Sequence, residues 1–242
     1  MEKTVTQAIE YRRSTRVYEN TDIDIKKVKQ CLHNASLAPT SSNLQLWEFY
    51  HITDKEKLSK LAEACLNQSA AKTANQLVVV VVRKDLWRKR AKANIAFLNN
   101  FYNKPNLTDR ELNRKKMATN YYKKLIPTIY IDFLGILGYI KFFVFQIVGI
   151  FKPIYRQTRL SDMRIVAHKS AGLAAQNFMI SMAAIGYDTC PMEGSDTLRI
   201  KKILNLPNGA EINMVIGCGI RKEEGIYGPR FRIPFEEVYF QV

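Results

Sequence analysis

Hydrophobic positions near the start of the chain recur at helical spacing. Val5, Ala8 and Ile9 follow Thr4, which together with Gln7 fits a capping box. Two further helices are predicted on the same grounds. The first runs from about Asp24 to before Pro39, and its apolar face consists of Ile25, Val28, Leu32 and Ala35. The second is capped by Thr53 and Glu56, and its apolar face consists of Leu58, Leu61, Ala62 and Cys65. Short polar connections separate these helices.

Three apolar segments have the length and composition of strands. Trp47 to Ile52 follows the polar loop Thr40–Asn43, and Met214 to Gly219 lies near the end of the chain. Leu77 to Val82 is an unbroken apolar run, which is typical of a strand buried on both faces. Because strands and helices alternate, the pattern alone favours a doubly wound α/β sheet.

One long helix is predicted in the second half of the chain, from Ile165 to Ile185. Gly186 is a natural stop for it. Small and apolar residues follow one side, namely Ala167, Ala171, Ala174, Phe178 and Met182. They predict close packing against another helix, either in the core or across a dimer interface.

The segment 127–153 is strongly apolar and is predicted to be helical. It is long enough to span a bilayer, yet Asp132 and Lys141 interrupt it at positions that are costly in a membrane. One polar stripe is predicted along it, formed by Thr128, Asp132, Gly135, Tyr139 and Gln146. Basic residues flank both ends, namely Lys123, Lys124, Lys152, Arg156 and Arg159. Three interpretations are open: a lid or dimer-wrapping insertion, contact with an acidic membrane surface, or a true span.

Composition and charge narrow the function classes. A chain of 242 residues predicts one domain, 1–242, with residues 84–159 as an insertion or lid region. The 37 Lys and Arg against 22 Asp and Glu give a net charge of +15, which attracts phosphate cofactors, nucleic acid or acidic membrane. No motif for nucleic-acid binding is present, so no nucleic-acid partner is expected.

The cysteines indicate a reducing compartment. Cys31, Cys65, Cys190 and Cys218 form no Cys-x-x-Cys pair, which argues against a metal site or a redox disulfide. The N-terminus lacks the apolar core of a signal peptide, so a cytoplasmic protein with free thiols is expected, with peripheral membrane binding as the alternative.

Two groups of arginines at opposite ends of the chain have the spacing of an anion site. Arg12, Ser14 and Arg16 alternate, as do Arg230 and Arg232, so in extended segments each group points to one side. Guanidinium groups bind phosphate in bidentate fashion. Each group alone is also consistent with an exposed basic turn.

Backbone and amide groups elsewhere could meet a flat heterocycle. A Pro-to-Gly loop, Pro191–Gly194, can present backbone N–H groups at a ring edge. Asn43, Asn67 and Gln68 could pair with a pyrimidine edge, although each alone is also consistent with a surface amide.

Five segments, in order, resemble the FMN-dependent nitroreductase family. They are Arg12–Arg16, Ala38–Trp47, Leu66–Gln68, Ala184–Gly194 and Gly228–Pro234. Leu46 stands where that family usually has proline before the tryptophan, and 84–159 matches no recognisable part of the pattern. The resemblance covers residues 4–83 and 160–242.

The resemblance implies an α+β fold, a mostly antiparallel sheet flanked by helices, in a domain-swapped homodimer. Phe235–Val242 would cross to the partner, and Pro39–Asn43 would reach the partner's flavin.

The resemblance also implies FMN chemistry in which NAD(P)H is the co-substrate and a nitroaromatic, quinone or similar small molecule accepts two electrons by a ping-pong route. Dehalogenation or ring oxidation are alternatives within the same fold. The backbone of Met192, Glu193 and Gly194 would contact the flavin ring, and no side chain is expected to be catalytic. The implied cofactor contacts are Arg12, Arg13, Ser14, Arg16, Pro39, Thr40, Ser41, Asn43, Asn67, Gln68, Pro191, Met192, Glu193, Gly194, Arg230 and Arg232.

Overall fold

The computed structural model describes residues 2–133 and 135–242. The predicted domain 1–242 therefore includes two residues outside the described part, Met1 and Leu134, and the predicted segment 127–153 includes one of them, Leu134. The helices are α1 Val5–Tyr11, α2 Ile25–Ser36, α3 Lys55–Ala64, α4 Ser69–Lys72, α5 Trp87–Phe101, α6 Asp109–Asn120, α7 Ile126–Tyr130, α8 Ile136–Phe151, α9 Leu160–Ala184 and α10 Thr197–Ile203. The strands are β1 Trp47–Ile52, β2 Gln76–Val82, β3 Asp188–Met192 and β4 Glu211–Gly219.

The N-terminal helices begin close to where the sequence predicts. The Thr4 hydroxyl accepts the Gln7 N–H at 3.4 Å, and Gln7 Oε1 accepts the Thr4 N–H at 2.9 Å, so the predicted capping box is confirmed. The cap predicted for α3 is wrong by one residue: Asp54, not Thr53, accepts the Lys57 N–H, at 2.9 Å. A carboxylate also interacts favourably with the positive end of the helix dipole, which threonine cannot do.

The strands form a sheet in the order β1-β2-β4-β3, and each neighbouring pair is antiparallel. This confirms the α+β architecture implied by the family resemblance. The doubly wound interpretation is wrong because that fold needs parallel strands, and hydrophobic periodicity carries no information on strand direction. β3 is an edge strand, which is where a proline such as Pro191 is tolerated within a sheet.

Strand β2 is the centre of the core, since each of its residues is buried. Val78 and Val80 belong to the cluster formed with α2 and α9, where Phe178 is fully buried. Val79 and Val81 belong to the cluster on the opposite face, formed with α3 and α10. The prediction of a strand buried on both faces is confirmed.

The long helix α9 crosses one face of the sheet and packs against α2, as predicted. Its residues Ala167, Ala171 and Ala174 are buried in the core cluster to which α2 also contributes. The helix begins five residues before the predicted Ile165, because Asp162 Oδ2 accepts the Arg159 N–H at 3.0 Å and caps it there. This start was not predicted, because arginine is not one of the residues that usually cap a helix.

The apolar segment 127–153 contains two helices, α7 and α8, with a break between Tyr130 and Ile136. The predicted single stripe from Thr128 to Gln146 is therefore wrong. The break ends at Gly135, whose φ of +84° is a left-handed conformation that favours glycine. None of the helices in the described part of the chain is both long and apolar enough to cross a bilayer.

The C-terminal tail lies outside the sheet of its own chain. After β4 the described chain has only short 3-10 turns, the last at Phe235–Glu237. Phe235, Val238 and Phe240 are all exposed. Crossing of this tail to a partner stays a prediction.

Candidate functional site

The two ends of the chain meet beside the edge strand β3. Helix α1 ends at Tyr11, and Arg12 is extended, so the chain turns to run beside β3. Ser14 forms a parallel bridge with Thr189, and the Thr15 N–H donates to the Thr189 carbonyl at 3.2 Å. The Arg16 N–H donates to the Gly225 carbonyl at 2.8 Å, which joins this segment to the chain after β4.

Arg230 completes the junction from the C-terminal side. Its Nη2 donates to the carbonyls of Glu10 at 2.8 Å and Arg12 at 2.7 Å. Arg13 donates in return to the Gly228 carbonyl. These bonds enclose a cavity of about 270 Å³, here called the arginine pocket, which is lined by Arg12, Arg13, Ser14, Arg16, Ile226, Tyr227, Gly228, Pro229, Arg230, Phe231 and Arg232.

The arginine pocket is strongly electropositive. Five of its lining residues are arginines, and none of the described lining residues is acidic. Burial lowers the pKa of the Arg12 guanidinium, and the neighbouring charges of Arg230 and Arg232 lower it further. Arg16 lies over the ring of Tyr227, with 5.2 Å between the guanidinium carbon and the ring centroid. Crowded guanidinium groups without a carboxylate favour an anion with several oxygens.

A second ion pair fixes the base of this junction. The Arg221 Nε donates to Asp188 Oδ1 at 2.7 Å, and Arg221 Nη2 donates to the Tyr11 carbonyl at 3.1 Å. The Arg221 guanidinium also lies 4.0 Å from the centroid of the Tyr11 ring. Asp188 is buried. This pair was not predicted, because its only signal in the sequence is that both residues adjoin the ends of buried strands.

The turn after β3 lies further along the same edge of the sheet. β3 ends at Met192, which is buried, and Glu193 and Gly194 are exposed. Gln68 Nε2 donates to the Gly194 carbonyl at 2.8 Å, and the Asp196 N–H donates to the Ala64 carbonyl at 2.8 Å. Three residues of strand separate Thr189 from Met192, so the turn lies about 10 Å from the arginine pocket.

The two predicted amides near the turn are separated. Gln68 contacts the turn, whereas Asn67 lines a different cavity of about 310 Å³ between α3 and α4. Leu66 and Asn67 have φ values of +59° and +53°, so the chain reverses there and adjacent side chains leave in different directions. Alternation in the sequence does not reveal such a reversal.

The loop Pro39–Asn43 lies far from the arginine pocket of the same chain. The Ser41 N–H donates to Ser170 Oγ at 3.3 Å, whereas the other end of α9, at Ala184, accepts the Lys3 N–H at 3.0 Å beside α1. Fourteen residues of helix separate Ser170 from Ala184, about 21 Å at the α-helical rise. Thr40 belongs to the same distant loop, where its hydroxyl accepts the Gln45 N–H at 3.2 Å.

Helices of the insertion hold this loop in place. Ser42 Oγ and the Tyr121 hydroxyl lie 2.6 Å apart, and the Tyr122 hydroxyl donates to the Ser42 carbonyl at 3.1 Å. Asn43 Nδ2 donates to Asn94 Oδ1 at 2.8 Å. These three partners were not predicted, because they belong to residues 84–159, which contain no recognisable motif.

Burial disfavours the nucleophilic thiolate form of the cysteines, including Cys190 beside the site. All four cysteines are free and buried. Burial raises the pKa of Cys190 in β3 even though Arg16 and Arg12 act to lower it. Burial also raises the pKa of Cys31 and of Cys65 to about 11 each, and that of Cys218 further. A thiol held protonated in this way does not supply the attacking thiolate of cysteine chemistry.

Comparison with known proteins identifies the family. The family model described as Nitroreductase family matches residues 9–220, which is most of the chain. The chain belongs to the nitroreductase family. The match includes β1 to β4 and the segment Arg12–Arg16, and it spans the insertion.

Individual nitroreductase-family proteins resemble the chain over most of their length. Protein DrgA of Synechocystis is 27% identical over 218 residues, which are 90% of this chain and 84% of DrgA. MhqN of Bacillus subtilis, which its name places among NAD(P)H nitroreductases, is 25% identical over 204 residues, 84% of this chain and 81% of MhqN. A structure from Exiguobacterium sibiricum, solved in complex with FMN, has a TM-score of 0.67 and 21% identity, covering 99% of this chain and 98% of that one.

Proposed function

We propose that this nitroreductase-family protein is an FMN-dependent oxidoreductase that uses NAD(P)H to reduce a small molecule such as a nitroaromatic or a quinone. The arginine pocket, built from both ends of the chain, is the observation that carries this proposal. Its five arginines and its lack of acidic lining residues fit a dianionic phosphate. The FMN in the Exiguobacterium sibiricum structure and the name of MhqN support the same cofactor and reductant.

Each part of the site has a separate task in this proposal. Arg12, Arg16 and Arg232, with the Ser14 hydroxyl, bind the phosphate, and Arg13 and Arg230 hold the two chain ends together. The turn at Glu193 and Gly194, held by Gln68, meets the flat ring about 10 Å away along β3. Bound FMN would carry the hydride between NAD(P)H and the acceptor, so the protein supplies binding, orientation and electrostatics.

We further propose that the working unit is a homodimer in which Pro39–Asn43 of one chain completes the flavin site of the other. Two features support this: the loop lies about 21 Å along α9 from its own arginine pocket, and the tail Phe235–Val242 exposes apolar side chains. In this dimer the insertion 84–159, which holds the loop, shapes the acceptor site. Sedimentation should give a dimer for the flavin-bound protein, and a flavin-bound monomer would contradict the proposal.

The visible absorption spectrum of the purified protein, with the released cofactor identified, tests the cofactor assignment. We expect a yellow protein that releases FMN at about one per chain and is bleached anaerobically by NADH or NADPH. A colourless protein that also fails to take up added FMN would refute the proposal.

A further inference from the structure

The helix α8 presents an apolar surface that the rest of the chain does not cover. Of its residues, all of which the structure describes, Gly138 alone is buried. Phe143, Ile150 and Phe151 are 64%, 74% and 83% exposed. The exposed large apolar residues of α8, here called the α8 face, are Ile136, Leu137, Tyr139, Ile140, Phe143, Val144, Ile147, Ile150 and Phe151. An apolar patch of this extent on a folded surface indicates an interaction site.

The charged and amide side chains of α8 are turned away from this face and onto the chain itself. Lys141 Nζ donates to the carbonyls of Thr128, Ile129 and Ile131 at 3.1, 3.1 and 2.7 Å. Gln146 Oε1 accepts from Arg156 Nη1 at 2.7 Å. The lysine that interrupts the apolar pattern therefore caps the end of α7 and leaves the α8 face without a charge.

The helix contacts the start of α9 closely at Gly138. The Gly138 N–H donates to Asp132 Oδ1 at 2.8 Å. A Cβ at Gly138 would lie 3.1 Å from the Arg159 Cα, so glycine allows α8 and the start of α9 to approach closely. In this arrangement the apolar face of α8 is directed outward.

The sequence on both sides of α8 is basic. Between residues 112 and 161 the sequence has nine Lys and Arg but one acidic residue, Asp132, whose Oδ1 is bonded to the backbone of Gly138. Lys123, Lys124 and Lys152 are exposed, and none of them pairs with a carboxylate of the described residues. Lys123, Lys124 and Lys152 are here called the basic rim. An apolar surface with such a rim complements a partner that has an apolar interior and a negatively charged surface.

We propose that α8 docks the protein on an anionic lipid bilayer, lying in the plane of the interface with its apolar face among the acyl chains. A 16-residue helix is about 24 Å long, too short for the hydrocarbon core but suitable for the interface. The basic rim then meets acidic headgroups. A second copy is a poorer occupant, because two-fold pairing would bring equal basic rims together. The inference is independent of the proposed function.

Flotation of the full chain with lipid vesicles, with and without added FMN, tests this proposal. Vesicles of phosphatidylcholine with about one third phosphatidylglycerol should carry the protein upward, and phosphatidylcholine alone should bind far less. Raising the salt should weaken binding, since it screens the basic rim. Failure to bind the anionic vesicles would overturn the proposal.

Variants distinguish vesicle binding through the α8 face from nonspecific hydrophobic binding. Phe143→Ser with Ile147→Ser should weaken binding to anionic vesicles by about 100-fold, since two buried apolar side chains are lost. Lys152→Gln should weaken it about fivefold. The control, Ile25→Ser with Leu198→Ser, alters two exposed apolar positions on other helices and should bind like the unaltered protein.

The serine pair should keep its circular dichroism and flavin content, because both altered residues are exposed. Equal vesicle binding by the serine pair and the unaltered protein would contradict the assignment of α8. Self-association without lipid that the serine pair abolishes, together with no vesicle binding, would show a second copy as the occupant and would also overturn it.

Discussion

Replacing Arg12 with methionine removes one guanidinium from the arginine pocket and keeps an apolar side chain of similar length. In the free protein Arg12 is half-buried and lies near the positive charges of Arg230 and Arg232. Both effects lower the pKa of its guanidinium. Its loss should therefore leave the free energy of unfolding of the FMN-free protein unchanged or slightly higher. With FMN, a charge-assisted bond worth about 2 kcal/mol is lost. That loss corresponds to a roughly 30-fold rise in the dissociation constant.

Thermal unfolding with and without FMN measures both effects. At an FMN concentration about 100 times the dissociation constant, the unaltered protein gains roughly 2.7 kcal/mol, whereas Arg12→Met gains roughly 0.9 kcal/mol. For a domain of this size these gains correspond to Tm rises of about 5 to 10 °C and about 2 to 4 °C. The matched control is Arg110→Met, an exposed arginine on α6 outside the pocket. Equal FMN-dependent Tm rises in the unaltered protein and Arg12→Met would refute the phosphate assignment.

Three further predictions concern the frame around the site. Gly225→Ala should lower the free energy of unfolding by about 1 to 3 kcal/mol, because the new Cβ collides with the Val17 carbonyl; in denaturant unfolding, an unchanged midpoint would count against this. Asp188→Ala should cost about 3 kcal/mol, because the half-buried Arg221 loses its buried carboxylate partner, and Asp188→Asn should cost less. Asp162 has a pKa lowered chiefly by its bond to Arg159, so its stabilisation is present above the unfolded-state pKa of aspartate and is lost as the pH falls. Asp162→Asn should therefore be less stable than the unaltered protein at pH 7 and equal to it in strong acid; a gap that persists in acid would contradict this.

The sequence was sufficient wherever a local rule decides the structure. The Thr4–Gln7 capping box and the wholly buried β2 follow from neighbouring residues alone. The meeting of Arg12 with Arg230, 218 positions apart, does not follow from alternation and needed the family resemblance. Alternation along an extended segment predicts the side to which a side chain points, but the residues that it contacts depend on the fold of the whole chain.

Two of the failures share a physical cause, which is a change of backbone direction that composition hides. The break before Ile136 lies inside a run of apolar residues, so helical periodicity continues through it unchanged. Asn67 and Gln68 are adjacent amides, yet the left-handed turn at Leu66 and Asn67 directs Asn67 into the cavity between α3 and α4 and Gln68 to the Gly194 carbonyl. Residues 84–159 offered no motif, and the partners that hold the Ser42 loop were missed for that reason.

The four buried thiols make the folded chain resistant to the compounds it is proposed to process. Quinones are electrophiles that add to thiolates, and Cys31 and Cys65, with pKa values of about 11, are almost wholly protonated at neutral pH. Cys190 and Cys218 lie in adjacent strands and become accessible only when the sheet itself opens. The rate at which an alkylating reagent modifies each cysteine therefore measures how often the structure around it unfolds locally. Cys31 reports on α2, Cys65 on the end of α3, and Cys190 and Cys218 on the edge of the sheet.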